Sequence, residues 1–581
     1  MMFNHDGEVC DAFLVDQVTK WMDAPFTHAN LALFILSEYV KDEVANEQLP
    51  WLLQAIYPKL LFALVNSNEI RIKHDVLVVF KDSLHMLEVL HSMEIKDIVL
   101  FLGSILPDWL RAMNLCLHAN NSRISYLVFL GIAALQESFP KLLDSHIDII
   151  YESFPVYLGL EMERYVKEKV LEGHDVANDS AAIEGYSIPL EETQNDIRET
   201  LMLQLLRFLT LTVKNGKYFS KNRFTTETFH CIQLMQITSD QRELWSNDAD
   251  AFVSETDEET FKFCVRVAVA ELFEAIMNSS FQDFAVSFCS TLTSEQFAGE
   301  IATLSRTTNQ WTLMEAYLYA LEVIYYSRSK HVTEYGVVLS NPLSFVNAVV
   351  LGMLGADTPS FLRGRALRFI GLVSSKLDAN TAHSVFLEAV KAFAQNDYIP
   401  LRYLAMDAIS KFSQVLPVSS LSPGIAQFFP SALGLLASGD CPEEAISKIL
   451  ELLLLLIQKN PEWARPFEQQ LAPALLYLYT SFPFEHMIGD VVTNLVQILV
   501  KDEKYRVSFE ERVLPQVAKS LTAPLSYGDE DNGIAAGIDF MTSMIKLSPK
   551  VENPFYGRVI VPALIDYLLK CPNTSTHQVN V

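Results

Sequence analysis

Apolar residues recur along this chain at helical spacing, and the recurrences come in pairs. In DYIPLRYLAMDAISKFSQVL (397–416), Leu401, Leu404, Ala405, Ala408, Ile409 and Phe412 form a single stripe at i, i+3, i+4 and i+7. Pro400 suits the first turn of that helix, where a missing N–H removes no intrahelical bond. The preceding TAHSVFLEAVKAFAQND (381–397) puts Val385, Phe386, Ala389, Val390 and Phe393 on one face. Two amphipathic helices joined by a short polar break are predicted.

The same unit recurs along the chain. NPLSFVNAVVLGMLG (341–355) pairs with PSFLRGRALRFIGLVSSKL (359–377), and LPWLLQAIYPKLLFALV (49–65) with IRIKHDVLVVFKDSLHML (70–87). IKDIVLFLGSILPDWLRAMNLCL (95–117) pairs with SRISYLVFLGIAALQESF (122–139). SPGIAQFFPSALGLLAS (422–438) pairs with CPEEAISKILELLLLLIQK (441–459), and FEQQLAPALLYLYTS (467–481) with FEHMIGDVVTNLVQILV (484–500). The period is roughly 40 to 47 residues, as in two-helix HEAT or armadillo repeats. The expected fold is an all-α solenoid of the HEAT/armadillo type, a superhelix of about eleven antiparallel helix pairs spanning residues 1–581.

Second helices open near an arginine: Arg71, Arg123, Arg266, Arg363 or Arg365, and Arg402. Each is expected to reach carbonyl ends or acids of a neighbouring repeat, the alternative being a plainly solvated side chain. Three acidic loops interrupt the rhythm, at 171–196, 243–259 and 526–533. The final unit, NPFYGRVIVPALIDYLLKC (553–571), reads as a first helix without its partner, so a segment of a longer array is expected.

Composition supports helices: 21 Gly and 24 Pro in 581 residues are few. Half the chain is apolar, which excludes global disorder. The net charge of −27 repels nucleic acid and anionic lipid and attracts basic proteins, and it also keeps an apolar chain soluble. Seven scattered cysteines without a C-x-x-C pair suit a reducing compartment. The opening MMFNHDGEVCDAFLVD has no basic n-region, and LELLLLLIQ (450–458) is too short to span a bilayer, so a soluble intracellular chain is expected.

No phosphate-binding, zinc-protease, nucleophile-elbow or dinucleotide motif is present. His85 and His91 fall on different helical faces, as do Cys116 and His118. Glu443 and Glu444 suit a first helical turn. Lys214, Lys217, Lys221 and Arg223 form a small basic cluster that does not suffice for nucleic acid. The chain is expected to be no enzyme, to use no cofactor or metal, and to insert in no membrane.

The stretch LWSNDADAFVSETDEETF (244–261) remains. Seven acids run from Glu243 to Glu259 without a Lys or Arg. Thr256 with Glu259 reads as a capping box for a helix carrying Phe261, Val265, Ala268 and Leu272. Trp245 and Phe252 are expected to pin the loop to the solenoid, while Asp248, Asp250 and Glu255 lack an obvious structural duty.

The run QITSDQRELWSNDADAFVSETDEETFKFCVRVAVAELF (236–273) resembles the importin-beta nuclear transport receptors, specifically their importin-nine branch. PSFLRGRALRFIGLVSS (359–375), IPLRYLAMDAIS and KNPEWARPFEQQLAPALL continue the likeness, which covers most of the chain and is strongest over 230–420. The resemblance implies a receptor that binds basic cargo such as core histones and ribosomal proteins on a concave face. It also implies release by Ran in its GTP form, contact with nuclear pore proteins, and shuttling between cytoplasm and nucleus. Asp248, Asp250, Glu255 and Asp257, with Asp529, Glu530 and Asp531 of the YGDEDNG loop, are the candidate cargo-binding residues. The family's amino-terminal repeats and its long acidic tract are not in this sequence, which puts the Ran response in question. The rival expectation is a HEAT-repeat scaffold organising a protein complex.

Overall fold

The computed structural model describes residues 16–17, 20, 26–41, 49–92, 97–118, 121–172, 197–215, 224–256, 264–279, 282–308, 310–329, 345–395, 398–438, 441–482, 486–522, 530–547 and 553–570. Among these residues every regular element is helical. The chain divides into two compact units, Met1–Glu243 with Phe263–Ser340, and Leu244–Lys262 with Asn341–Val581.

The first unit contains α1 (Phe26–Lys41), α2 (Leu49–Asn66), α3 (Ile70–Ser92), α4 (Asp97–Leu117), α5 (Ser122–Ser138), α6 (Phe154–Tyr165), α7 (Ile197–Asn215) and α8 (Phe224–Leu234). The chain enters the second unit within α9 (Ser239–Asn247) and stays there through α10 (Ala249–Thr256). Back in the first unit follow α11 (Val265–Met277), α12 (Gln282–Leu292), α13 (Glu295–Thr307) and α14 (Trp311–Ser329). The second helices α1, α3, α5, α7, α11 and α14 pack in succession as one layer.

The second unit continues with α15 (Ser360–Leu372), α16 (Ala379–Ala394), α17 (Ile399–Val415), α18 (Val418–Ser438), α19 (Glu443–Lys459) and α20 (Glu468–Ser481). It ends with α21 (His486–Leu499), α22 (Glu503–Thr522), α23 (Glu530–Leu547) and α24 (Val561–Lys570). Here α15, α17, α19, α21 and α23 form one layer and α16, α18, α20, α22 and α24 the other. Each unit is therefore a stack of helix pairs of the HEAT type.

The stripes read from the sequence are the ones that pack. Leu401, Leu404, Ala405, Ala408, Ile409 and Phe412 of α17 are all buried, and so are Val385, Phe386, Ala389, Val390 and Phe393 of α16. Pro400 occupies the first turn of α17 as expected. Burying such a stripe stabilises a helix far more than intrinsic propensity does.

Close approach sets where α15 and α17 cross. A Cβ on Gly371 would lie 2.8 Å from the Ala408 Cα, a backbone atom that cannot step aside. Gly371→Ala is expected to destabilise the second unit by about 1–3 kcal/mol. The check is a lower urea midpoint with an unchanged slope. An unchanged midpoint would mean that the two helices are free to separate.

Polar ladders fix the register between repeats. Arg266, at the start of α11, donates to both carboxylate oxygens of Glu315 on α14 at 2.6 and 2.7 Å and to the Met235 carbonyl at 2.7 Å. Both side chains are buried. Arg363 reaches Glu388 of α16 at 3.6 Å, and Arg123 feels the charge of the buried Asp75 on α3. Arg402 instead lies over the Phe393 ring. In the second unit Asp407 of α17 bridges Arg368 of α15 at 3.3 Å and Lys448 of α19 at 2.7 Å. Burial pushes the Asp407 carboxyl up, but Lys448 and Arg368 outweigh it and hold the group below the usual carboxylate range.

Three expectations need correcting or locating. The acidic stretch expected as a loop at 243–259 is helical through Thr256, in α9 and α10, and residues 257–259 lie outside the described residues. Thr256 ends α10 and does not open the next helix; α11 starts after Cys264. The reason is tertiary: buried Phe252 and Val253 hold α10 as a helix despite its charge. The loop expected at 171–196 is outside the described residues beyond Glu172, which closes a π-helical continuation of α6. Of 526–533, residues 526–529 are outside them, and Glu530 begins α23.

The helix α4 lies within the first helix expected at 95–117. Ile98–Leu117 is long and apolar enough, at a mean hydropathy of 1.3, to cross a membrane by length and composition. In the stack it packs as a first helix against α2 and α5, with Trp109, Leu110 and Met113 buried.

Candidate functional site

The segment α9–α10 joins local capping to a distant aromatic bed. At the start of α9, the Thr238 hydroxyl accepts from the Gln241 N–H, and the Gln241 side-chain oxygen accepts from the Thr238 N–H, both at 3.1 Å. This reciprocal pair is a capping box. The break between α9 and α10 falls at Asp248, whose carboxylate accepts from the Ala251 N–H at 3.1 Å and caps α10.

Trp245 and Phe252 turn into the second unit. Trp245 is 3% exposed and Phe252 1%. Their rings meet edge to face at 5.4 Å and pack on Phe361 of α15, and Phe252 stands perpendicular to Tyr403 of α17 at 6.0 Å. The Trp245 indole N–H donates to Glu255 at 3.0 Å. Ser246 and the Tyr398 hydroxyl share a hydrogen bond at 3.1 Å. The expectation that Trp245 and Phe252 hold this segment down is borne out, with the receiving surface supplied by Phe361, Tyr398 and Tyr403.

The candidate acids therefore divide. Glu255 is half-buried and serves the indole. Asp248 is exposed and uses one oxygen as a cap. Asp250 is exposed in the first turn of α10, where a negative charge favours the helix. Asp257 and Asp529 lie outside the described residues. Glu530 and Asp531 open the α23 backbone, and their side chains are likewise outside the description. Nearby Glu443 and Glu444 sit in the first turn of α19, as predicted.

Burial pushes the Cys441 thiol up to about 12, with Arg402 opposing and the Asp250 carboxylate adding to the rise. That thiol stays protonated and is a poor nucleophile. Among the described residues no three His, Cys, Asp or Glu side chains cluster as a metal site. His85 and His91 are exposed and Cys116 is buried. Of the basic cluster, Lys214 is exposed, and Lys217, Lys221 and Arg223 lie outside the described residues.

Residues missed in the sequence include Phe361, Tyr398 and Tyr403. Their only local signal is an aromatic beside a helix start, and nothing nearby ties them to Trp245. The capping box at Thr238–Gln241 was visible as T-x-x-Q.

Residues 224–454 match the family model described as importin-9 central HEAT repeats. Importin subunit beta-5 of Schizosaccharomyces pombe is 21% identical over 568 residues, covering 92% of this chain and 53% of that protein. Importin-9 of Drosophila melanogaster is 20% identical over 468 residues, covering 77% of this chain and 43% of that protein. The chain thus spans about half the length of the curated relatives it matches. Among solved structures, Kap121p bound to RanGTP aligns at a TM-score of 0.60 and 13% identity, covering 96% of this chain and 47% of that one. Kap121p bound to Nup53p aligns at 0.50 and 13% identity, covering 92% and 53%. At these identities the solved structures speak to the fold alone.

Proposed function

We propose, from the premise that this chain belongs to the importin-beta family of nuclear transport receptors in its importin-9 branch, that it is a nuclear import receptor acting by binding alone. One observation carries this reading: the residues that match the importin-9 central repeats contain the segment that displays Asp248 and Asp250 on a buried aromatic support. The cargo on this reading is basic protein, of which core histones and ribosomal proteins are the type. A net charge of −27 draws such cargo by its long-range field and loses hold as salt screens it. Asp257, Asp529, Glu530 and Asp531 extend the cargo-binding set.

Ran in its GTP form is the regulator on this reading, and nuclear pore proteins are the partners in transit between cytoplasm and nucleus. Support comes from Kap121p, whose matched structures hold RanGTP in one case and Nup53p in another. A pull-down with Ran loaded with GTP against Ran loaded with GDP separates this reading from a non-transport scaffold. Equal capture of both forms, with no import of labelled histone in permeabilised cells, would defeat it.

The acids are tested by the double variant Asp248→Asn with Asp250→Asn. Asn caps a helix as well as Asp, so α10 is kept. Exposed ion pairs contribute modestly, so affinity for a core histone pair is expected to fall about three- to tenfold at moderate salt. The salt dependence is expected to become shallower. An unchanged affinity removes these residues from the cargo surface.

A further inference from the structure

The hydroxyl of Ser254 lies in the last turn of α10, half-buried, and donates to the Asp250 carbonyl at 2.7 Å. Two features set this serine apart from an ordinary helical one. The residues after it are Glu255, Thr256, Asp257, Glu258 and Glu259, so acids stand one, three, four and five places on. No Lys or Arg lies between Glu243 and Phe261 to neutralise them. The helix that carries it is also short: α10 has 8 residues, and it rests on buried Phe252 and Val253. A helix of that length is marginal without its packing, so its last turn opens at little cost.

Protein kinases choose a serine partly by the charges around it. A kinase that favours acids after its target holds them in a basic groove, and this segment presents nothing that such a groove repels. We propose that Ser254 is a phosphorylation site for a Ser/Thr kinase of that kind, and that the phosphate loosens α10 from Phe361 and Tyr403. In the reaction the Ser254 Oγ bonds to the γ-phosphorus of ATP, and the bond from that phosphorus to the β–γ bridging oxygen breaks. ADP leaves with the electron pair, and the hydroxyl proton passes to the kinase's base.

The ester has no O–H left, so the bond to the Asp250 carbonyl is lost. In its place stands a charge of about −1.5 to −2 at neutral pH. It lies four residues from the exposed Asp250 and next to Glu255, the partner of the Trp245 indole. Like charges at that spacing destabilise a helix. The phosphate also sits at the negative end of α10, where the last turn has no basic residue to offset it. All three effects have the same sign, and none of them depends on the import-receptor reading.

The test uses the full chain with magnesium ATP and a casein-directed, acid-reading Ser/Thr kinase, beside an arginine-reading kinase. Tandem mass spectrometry locates the phosphate, and a synthetic peptide of residues 244–262 is the substrate control. Ser254 is expected to take phosphate from the acid-reading kinase alone. Ser254→Ala, which keeps the helix because alanine favours it, should abolish that labelling. Asp257→Asn should slow it about three- to fivefold. Amide hydrogen exchange reads the consequence. In the phosphorylated chain, and less fully in Ser254→Glu, the amides of Ala251 to Val253 should exchange about tenfold faster while α19 and α21 keep their protection. Each of five results would overturn the proposal. The first is no phosphate on the full chain although the peptide takes it, since the helix would then shut the serine in. The others are no phosphate on either substrate, phosphate at Thr256 alone, equal labelling by the arginine-reading kinase, and phosphate at Ser254 with unchanged exchange at 251–253.

Discussion

Glu315→Ala is expected to destabilise the first unit by about 3–5 kcal/mol, because it strands a buried guanidinium. Arg266 sits between the end of one helix pair and the second helix of the next, bonded to Met235 O and to both oxygens of Glu315. Burial alone works against its charge; the Glu315 carboxylate more than offsets that and keeps the guanidinium firmly protonated. Removing the carboxylate leaves that desolvation uncompensated. Replacing both partners, Arg266→Met with Glu315→Leu, is expected to recover most of the loss, since a buried pair often contributes little against a well-packed apolar pair. The four-protein cycle is read by urea denaturation followed through the helical signal, and the coupling is what the single losses fail to add to. A Glu315→Ala protein within about 0.5 kcal/mol of the parent would place this pair among ordinary surface contacts.

Trp245→Ala is expected to cost about 3–5 kcal/mol locally, the usual range for emptying a buried aromatic site. The ring fills a space between Phe252 and Phe361, and its N–H is the partner of Glu255. Loss of the ring removes the support on which α9 and α10 rest. The measurement is amide hydrogen exchange: protection across 244–256 should collapse while α19 and α21 keep theirs. Trp245→Phe should retain part of the protection, because it keeps the packing and gives up the hydrogen bond. If the amides of Ala251 to Val253 exchange as slowly in Trp245→Ala as in the parent, the aromatic bed is not what holds the segment. The same variant should also weaken histone binding if Asp248 and Asp250 act from that platform.

The helix pairs were legible because their signal is local. The stripe on α17 is complete within seventeen residues, and every member of it is buried. Arg266 was legible for the same reason: a basic residue at a helix start invites a neighbour's carbonyl or acid. Which acid it would meet was not, since Glu315 lies 49 residues on. The acidic stretch misled for a physical reason. Seven acids without a base read as solvated loop, yet charge density does not decide conformation once two aromatic side chains are buried. Phe252 and Val253 made α10, and Asp248 served it as a cap. Glu255, which looked idle in the sequence, turned out to serve Trp245.

Ser246 and Tyr398, which share a hydrogen bond, are 152 residues apart. A ribosome adding about 5–20 residues per second therefore finishes α9 and α10 on the order of ten seconds before Tyr398 is made. During that interval the indole of Trp245 and the ring of Phe252 have no bed to enter, and they sit in water on a nascent chain. Newborn copies thus show two bare aromatic rings beside exposed carboxylates, and the finished protein buries the rings while Asp248 and Asp250 stay in water.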